Sequence, residues 1–290
     1  MKFVKRAVRF LFSVETYTSL QAIWVLVYDG FILLTTIYVR RLLDVFVNTD
    51  NNKKDVEFSI IMPCFNRKEC IDSAIVSVLK QTNQSYELII VDDGSKDGSS
   101  DHIQNNYASE IECGKIKLIL LPENKGVCYA RNKGLGEAQG SIICYLDSDN
   151  KWCRWYLDYI ANAYRKDGKI KMIYTAMLSI NLNIHTIDVV GRSYDEELMM
   201  EQNYIDMNVF SHRKSLYQLY GGFDVELKRL VDYELIMRYA HHVTPIYLNR
   251  IGAIYLYRQG IDTITSSKMQ SYDAAFKLAK KKIISYRESC

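Results

Sequence analysis

Ser141-Ile-Ile-Cys-Tyr-Leu-Asp-Ser-Asp-Asn150 decides the reading of this chain. Its first six residues carry no charge and are mostly apolar, which suits one strand buried on both faces in a parallel sheet. The run then stops at two carboxylates one residue apart, Asp147 and Asp149. Open α/β sheets bind ligands just beyond the carboxyl ends of their strands. Two acids held together at such an edge repel each other unless a cation neutralises them. The hard ions Mg²⁺ and Mn²⁺ take carboxylates of this kind together with substrate phosphates. The stretch therefore presents a metal–diphosphate site, set against the plainer reading of a turn with two solvated acids.

The residues before it supply the rest of a sheet. Phe58-Ser-Ile-Ile-Met62 predicts a first strand and Pro63-Cys-Phe-Asn-Arg67 the turn after it, with Asn66 suited to an unusual backbone angle. Residues 68–81 show helical spacing through Ile71, Ala74, Ile75, Val78 and Leu79. Tyr86-Glu-Leu-Ile-Ile-Val91 predicts a second strand, and it too ends in acids, Asp92 and Asp93. Ser99 or Ser100 caps the next helix. Residues 115–121 read as a third strand closed by Pro122, residues 126–139 as a helix, and the Ser141 stretch as the fourth strand. Such alternation calls for parallel, right-handed crossovers. The expected fold class is α/β: a Rossmann-like, mostly parallel sheet flanked by helices, its polar loops gathered at one edge. Gly134-Leu-Gly-Glu-Ala-Gln-Gly140 imitates a dinucleotide fingerprint, but its last spacing is off by one and it ends a helix instead of opening one. A helix stop is the better reading.

Composition narrows the class. The chain has 290 residues, 48% hydrophobic and 24% charged, enough for one large domain with appendages. A net charge of +3 gives no field that would gather nucleic acid. Seven cysteines without a C-x-x-C pair suggest reduced thiols in a cytoplasmic setting. Residues 1–56 form a predicted helical extension and linker. Within it, residues 22–39 are apolar between basic flanks, with Asp29 in the middle costing about 2.5–3.5 kcal/mol on insertion scales. That stretch leaves three readings open: a helix packed on the body or on a partner chain, contact with a membrane surface, or a span.

Beyond Asn150 the alternation breaks down. Trp152, Trp155, Tyr156 and Tyr159 fall at helical spacings, favouring a core stripe over sugar stacking. Residues 169–180 and 184–190 suggest two strands, and residues 228–240 a helix carrying Asp232 near its start. Residues 268–290 read as a basic amphipathic C-terminal helix. There Tyr272, Ala275, Phe276, Ala279 and Ile283 share a face, and Lys277, Lys280, Lys281 and Lys282 supply charge.

Ser59-Ile-Ile-Met-Pro-Cys-Phe-Asn66, Val91-Asp-Asp-Gly-Ser-Lys-Asp97, Asn124-Lys-Gly-Val-Cys-Tyr-Ala-Arg-Asn132 and Leu146-Asp-Ser-Asp149 together resemble the GT-A glycosyltransferases of the inverting family 2. Gly221-Gly-Phe-Asp224, Val231-Asp-Tyr-Glu-Leu235 and Tyr257-Arg258 with Thr263-Ile-Thr265 continue the match in order, so that the resemblance covers about residues 57–267. It implies a domain of those bounds that moves a sugar from a nucleoside diphosphate sugar to a glycan or lipid-linked acceptor in bacterial surface-polysaccharide assembly. It implies that Pro63 lines the base, that Asp93 accepts from the imide of uracil or thymine, and that Arg131 meets the phosphates. Asp147 contacts ribose or metal, Asp149 ligates Mn²⁺ or Mg²⁺, and Asp232 deprotonates the acceptor hydroxyl, with Glu234 as its rival.

Val231, Asn150 and Gly260 depart from the pattern, standing where many members have an acid, a second acid and a histidine. His212, His241 and His242 read as packing or surface residues and not as replacements. A nucleotidyltransferase is the alternative among enzymes, but it lacks here a basic glycine-rich loop after the first strand. A non-catalytic nucleotide-sugar-binding scaffold is the alternative outside them. The expected location is cytoplasmic, at the inner face of a membrane if residues 1–47 or 268–290 touch lipid. A homo-oligomer stays open.

Overall fold

The computed structural model describes residues 56–181, 185–257 and 271–289. The expectations for residues 1–55, including the apolar stretch 22–39, and for Arg258, Gly260 and residues 263–265 lie outside those described. Among the described residues no helix is long and apolar enough to cross a membrane.

β1 (Phe58–Cys64), α1 (Ile71–Leu79), β2 (Tyr86–Asp92), α2 (Ser99–Asn106), α3 (Ala108–Glu112), β3 (Ile116–Leu120), α4 (Val127–Glu137) and β4 (Ile142–Tyr145) follow the expected alternation. β1 pairs in parallel with β2 on one side and β4 on the other, and β2 pairs in parallel with β3. Order therefore reverses at β1, and the crevice between the ends of β1 and β4 is a topological switch point. β1, β2 and β4 are buried almost throughout, as apolar runs covered on both faces must be. β3, at the edge, leaves Leu120 exposed. Pro63 comes two residues past the last β4 partner, Ile61, where a missing N–H leaves no ladder bond unmade.

The second half departs from the parallel plan. β5 (Lys151–Trp152), α5 (Tyr156–Lys166), β6 (Met172–Asn181), β7 (Thr186–Val190), α6 (Glu196–Glu201), β8 (Phe210–Arg213), α7 (Lys214–Tyr220), α8 (Val231–Ala240), β9 (Ile246–Tyr257) and α9 (Tyr272–Ser289) complete the described chain. β8 lies antiparallel to β4 and β6, β7 to β6, and β5 to β9, while β6 and β9 are parallel. The sheet is mixed, parallel from β1 to β4 and largely antiparallel beyond it. An antiparallel neighbour starts where β4 ends, so the segment entering β8 is delivered to the end of β4 that carries Asp147.

The four aromatics expected on one helix face are divided by this geometry. Trp152 sits in β5 and packs on Tyr156 at 4.6 Å in the core, whereas Trp155 and Tyr159 flank the Arg250 guanidinium at 4.6 and 5.1 Å. The C-terminal helix runs over Tyr272–Ser289 and buries Ala275, Ala279 and Ile283. Phe276 stacks on Tyr233 at 5.0 Å, and Lys282 reaches Asp224 and Glu226 at 2.6 Å each.

Candidate active site

The loops after β1 and β2 are tied into one wall. Asn66 takes φ 51°, the unusual angle its type tolerates. Its Oδ1 accepts from the Lys96 N–H at 2.8 Å, while its own N–H donates to Ser95 Oγ at 2.9 Å. Asp93 is buried, and its two oxygens accept from the N–H groups of Lys125 and Gly126, each at 2.8 Å. This carboxylate therefore anchors the loop that opens α4. An ionised carboxyl offers about four lone-pair positions, so two remain for a ligand.

α4 carries Arg131 inward from that loop. Arg131 is 4% exposed, and its guanidinium donates through Nη2 to Asp147 Oδ1 at 2.6 Å. Burial alone would lower its pKa, but the Asp147 carboxylate outweighs burial and holds it above the usual arginine value. Its Nε is buried and has no hydrogen-bond partner among the described residues. The Phe223 ring lies 5.2 Å from Cζ. Phe223 is itself fixed by Asn132, which donates to its carbonyl at 2.8 Å and accepts from its N–H at 2.7 Å. That pair accounts for the Gly-Gly-Phe-Asp stretch beside an arginine helix.

Asp149 lies next to Asp147. Burial first, and then the Asp147 charge, push its carboxyl above the ordinary range, and Arg67 at 4.0 Å offsets part of this. Asn150 donates to Asp149 Oδ1 at 3.0 Å, so this amide supports the neighbouring carboxylate. Asp232 is the second residue of α8, after Leu230 in the left-handed conformation. Burial raises its pKa, and Asn203 Nδ2 donates to its Oδ2 at 3.1 Å. Glu234 faces away, gripped by Arg238 at 2.7 and 3.1 Å.

Sequence reasoning missed three residues here: Asn203, Asp206 and Asn208, all on the segment entering β8. Burial, and next the Asp147 charge, push Asp206 up to about 6. Its Oδ1 accepts from both the backbone N–H and Nδ2 of Asn208, each at 2.8 Å. The available signal was an acid and an amide, Asp206-Met-Asn208, immediately before the apolar pair Val209-Phe210. Of the histidines, His212 is a packing residue: it is buried, at hydrogen-bond distance from Tyr145 Oη (2.8 Å), and stacked on that ring.

The site thus joins Arg131, Asp147, Asp149 and Asp232, with Pro63 and Asp93 in the adjoining wall. Among the described residues no three metal-ligating side chains form a cage. Four carboxylates (Asp147, Asp149, Asp206, Asp232) share two guanidiniums (Arg67, Arg131) in one electrostatic neighbourhood. Hard oxygen donors with excess negative charge fit a divalent ion whose other positions go to phosphates and water.

The profile of Glycosyl transferase family 2 matches residues 59–204, half of the chain. The chain belongs to this family. It is 44% identical over 94 residues to TuaG of Bacillus subtilis (strain 168), a glycosyltransferase named for teichuronic acid biosynthesis, covering 32% of this chain and 36% of TuaG. It is 36% identical over 129 residues to the Escherichia coli UDP-Glc:alpha-D-GlcNAc-diphosphoundecaprenol beta-1,3-glucosyltransferase WfgD, 44% of each chain. These matches span less than half the length of either relative. The fold is that of S. aureus TarS, solved as residues 1–349 with UDP-GlcNAc: TM-score 0.66 at 20% identity, covering 79% of this chain and 66% of that one.

Proposed function

We propose that residues 57–267 of this family member form an inverting glycosyltransferase domain, moving a sugar from a UDP- or dTDP-sugar to a hydroxyl of a glycan or lipid-linked acceptor. The observation that carries the reading is the Arg131–Asp147 pair at the β1/β4 switch point, with Asp149 beside it and Asp232 facing the same buried guanidinium. WfgD, whose name states a UDP-sugar donor and a diphosphoundecaprenol-linked acceptor, supports both substrate classes.

Pro63 and Asp93 would form the base wall, with Asp93 accepting from the imide N–H of uracil or thymine through a remaining lone pair. Arg131 would meet the diphosphate, its unpartnered Nε being a donor in reserve for a phosphate oxygen. Asp147 and Asp149 would hold Mn²⁺ or Mg²⁺, which when bound supplies positive charge to the departing diphosphate. Asp232 would take the proton of the acceptor hydroxyl as that oxygen attacks. Burial that raises its pKa makes it a better base than a solvated aspartate. A single attack with no covalent intermediate inverts the anomeric carbon. Lys277, Leu278, Lys281 and Ile284 lie on the exposed side of α9, a pattern suited to an anionic membrane surface at the cytoplasmic face.

The test is incubation of UDP-glucose, UDP-N-acetylglucosamine or dTDP-glucose with an N-acetylglucosamine-diphosphoundecaprenol acceptor in the presence of Mn²⁺, with product configuration read by NMR. Nucleotide release with inversion is expected from at least one donor. Retention, or no release from any, overturns the proposal.

A further inference from the structure

Asn208 is 2% exposed, and each of its polar groups is engaged. Its Oδ1 accepts from the Asp147 N–H at 2.7 Å. Its Nδ2 donates to Asp206 Oδ1 at 2.8 Å and to Asp147 Oδ2 at 3.3 Å. Its backbone N–H donates to Asp206 at 2.8 Å, and its carbonyl accepts from Trp152 Nε1 at 2.7 Å. The Asp147 carboxylate is thus held from two sides, by Arg131 on Oδ1 and by Asn208 on Oδ2. Antiparallel pairing of β8 with β4 makes this meeting unavoidable, although the partners stand 61 residues apart.

Resting on the glycosyltransferase reading of the site, we propose that Asn208 is a positioning residue that keeps Asp147 from closing onto Arg131 and so keeps one carboxylate oxygen available to the donor. The orphaned Arg131 Nε supplies the reason. Guanidinium and carboxylate prefer two parallel hydrogen bonds, yet this buried pair makes one. Among the described residues, the bond from Asn208 is the one that opposes rotation of Oδ2 toward the Nε. Without it, both carboxylate oxygens turn to the arginine, and the charge that should face the nucleotide is spent inside the protein. The amide does this where a second carboxylate could not, because it donates to Asp147 and Asp206 while accepting from the backbone.

Tyr204 is the internal control. It lies on the same segment, but its hydroxyl accepts from the Asp195 N–H at 2.7 Å and donates to the Asp195 carbonyl at 3.1 Å, away from Asp147. Asn208→Ala, the milder Asn208→Ser, and Tyr204→Phe are each titrated by calorimetry with UDP, dTDP, GDP and ADP in Mn²⁺, after a cooperative thermal transition has been verified. Loss of a hydrogen bond to a charged group predicts a Kd for the best nucleotide that is about ten- to a hundredfold weaker in both Asn208 variants. Tyr204→Phe should bind as the wild type does. A crystal structure of Asn208→Ser should show Asp147 bidentate on Arg131. Equal weakening in all three variants means the segment is merely structural and overturns the inference, as does unchanged affinity in the folded Asn208 variants. Wild-type protein that binds none of the four nucleotides overturns the reading of the site itself, a distinguishable failure.

Discussion

Glu234 gives both carboxylate oxygens to Arg238, and the two side chains are 5% and 9% exposed. Breaking a buried ion pair leaves a charge unpaired and costs about 3–5 kcal/mol. Arg238 also donates to the carbonyls of Tyr220 and Gly222, so Glu234→Ala should fall near the lower end, about 3 kcal/mol in urea unfolding. Asp232, on the same turn, has no such partner and faces Arg131 and Asn203 instead. Asp232→Asn should therefore fold normally, keep donor affinity, and lose about 10²–10⁴-fold in turnover. Near-native turnover in that variant would remove it as the base. His212 makes a separate claim about pH. Burial lowers its pKa from 6.5 to about 4. The unfolded chain then binds a proton between those values that the native site refuses. Its contribution to stability is complete above pH 6.5 and is lost as pH falls toward about 4. His212→Gln should flatten the dependence of Tm on pH across that window. An unchanged slope would mean that the imidazole charges in place.

At the scale of elements, the strands of the parallel half were legible because each is a short apolar run stopped by a proline or an acid. β4 needed no more than its own residues. The glycines around α4 were legible as a helix stop, and the packing shows the stricter reason. A Cβ on Gly140 would stand 2.6 Å from the backbone of Phe58 and Ser59. The Gly140 N–H donates to Ser59 Oγ at 2.8 Å, and the chain cannot retreat without losing that bond. Gly140→Ala should cost about 1–3 kcal/mol, the range for overpacking a tight contact, and a loss below that in thermal unfolding would show that β1 yields. Less legible was everything set by long-range pairing. Trp152, Trp155, Tyr156 and Tyr159 satisfy helical spacing as letters, yet Trp152 is drawn into β5 by β9, some hundred residues later. Asn203, Asp206 and Asn208 carry no local pattern of their own and become site residues only because β8 runs antiparallel to β4.

Over the whole molecule, the sheet brings one wall from β1 and β2, one charge pair from α4 and β4, and one acid from α8 to a single crevice. The sequence motifs named these parts in order, and the fold explains why their order in the chain matches no order in space. The acids were legible as residues; the contacts they make inside the protein were not, Asp93 with the loop that opens α4 and Asp147 with Arg131. In the proposed reaction Asp149 and Asp147 would present residual negative charge to a cation shared with a diphosphate. Calorimetric titration of UDP into wild-type protein and Asp149→Ala, each with Mn²⁺ and again with chelator, addresses this directly. Wild-type affinity should depend on Mn²⁺, and Asp149→Ala should bind UDP weakly and equally in both buffers while remaining folded. UDP affinity in the wild type that is the same with and without chelator would contradict the account.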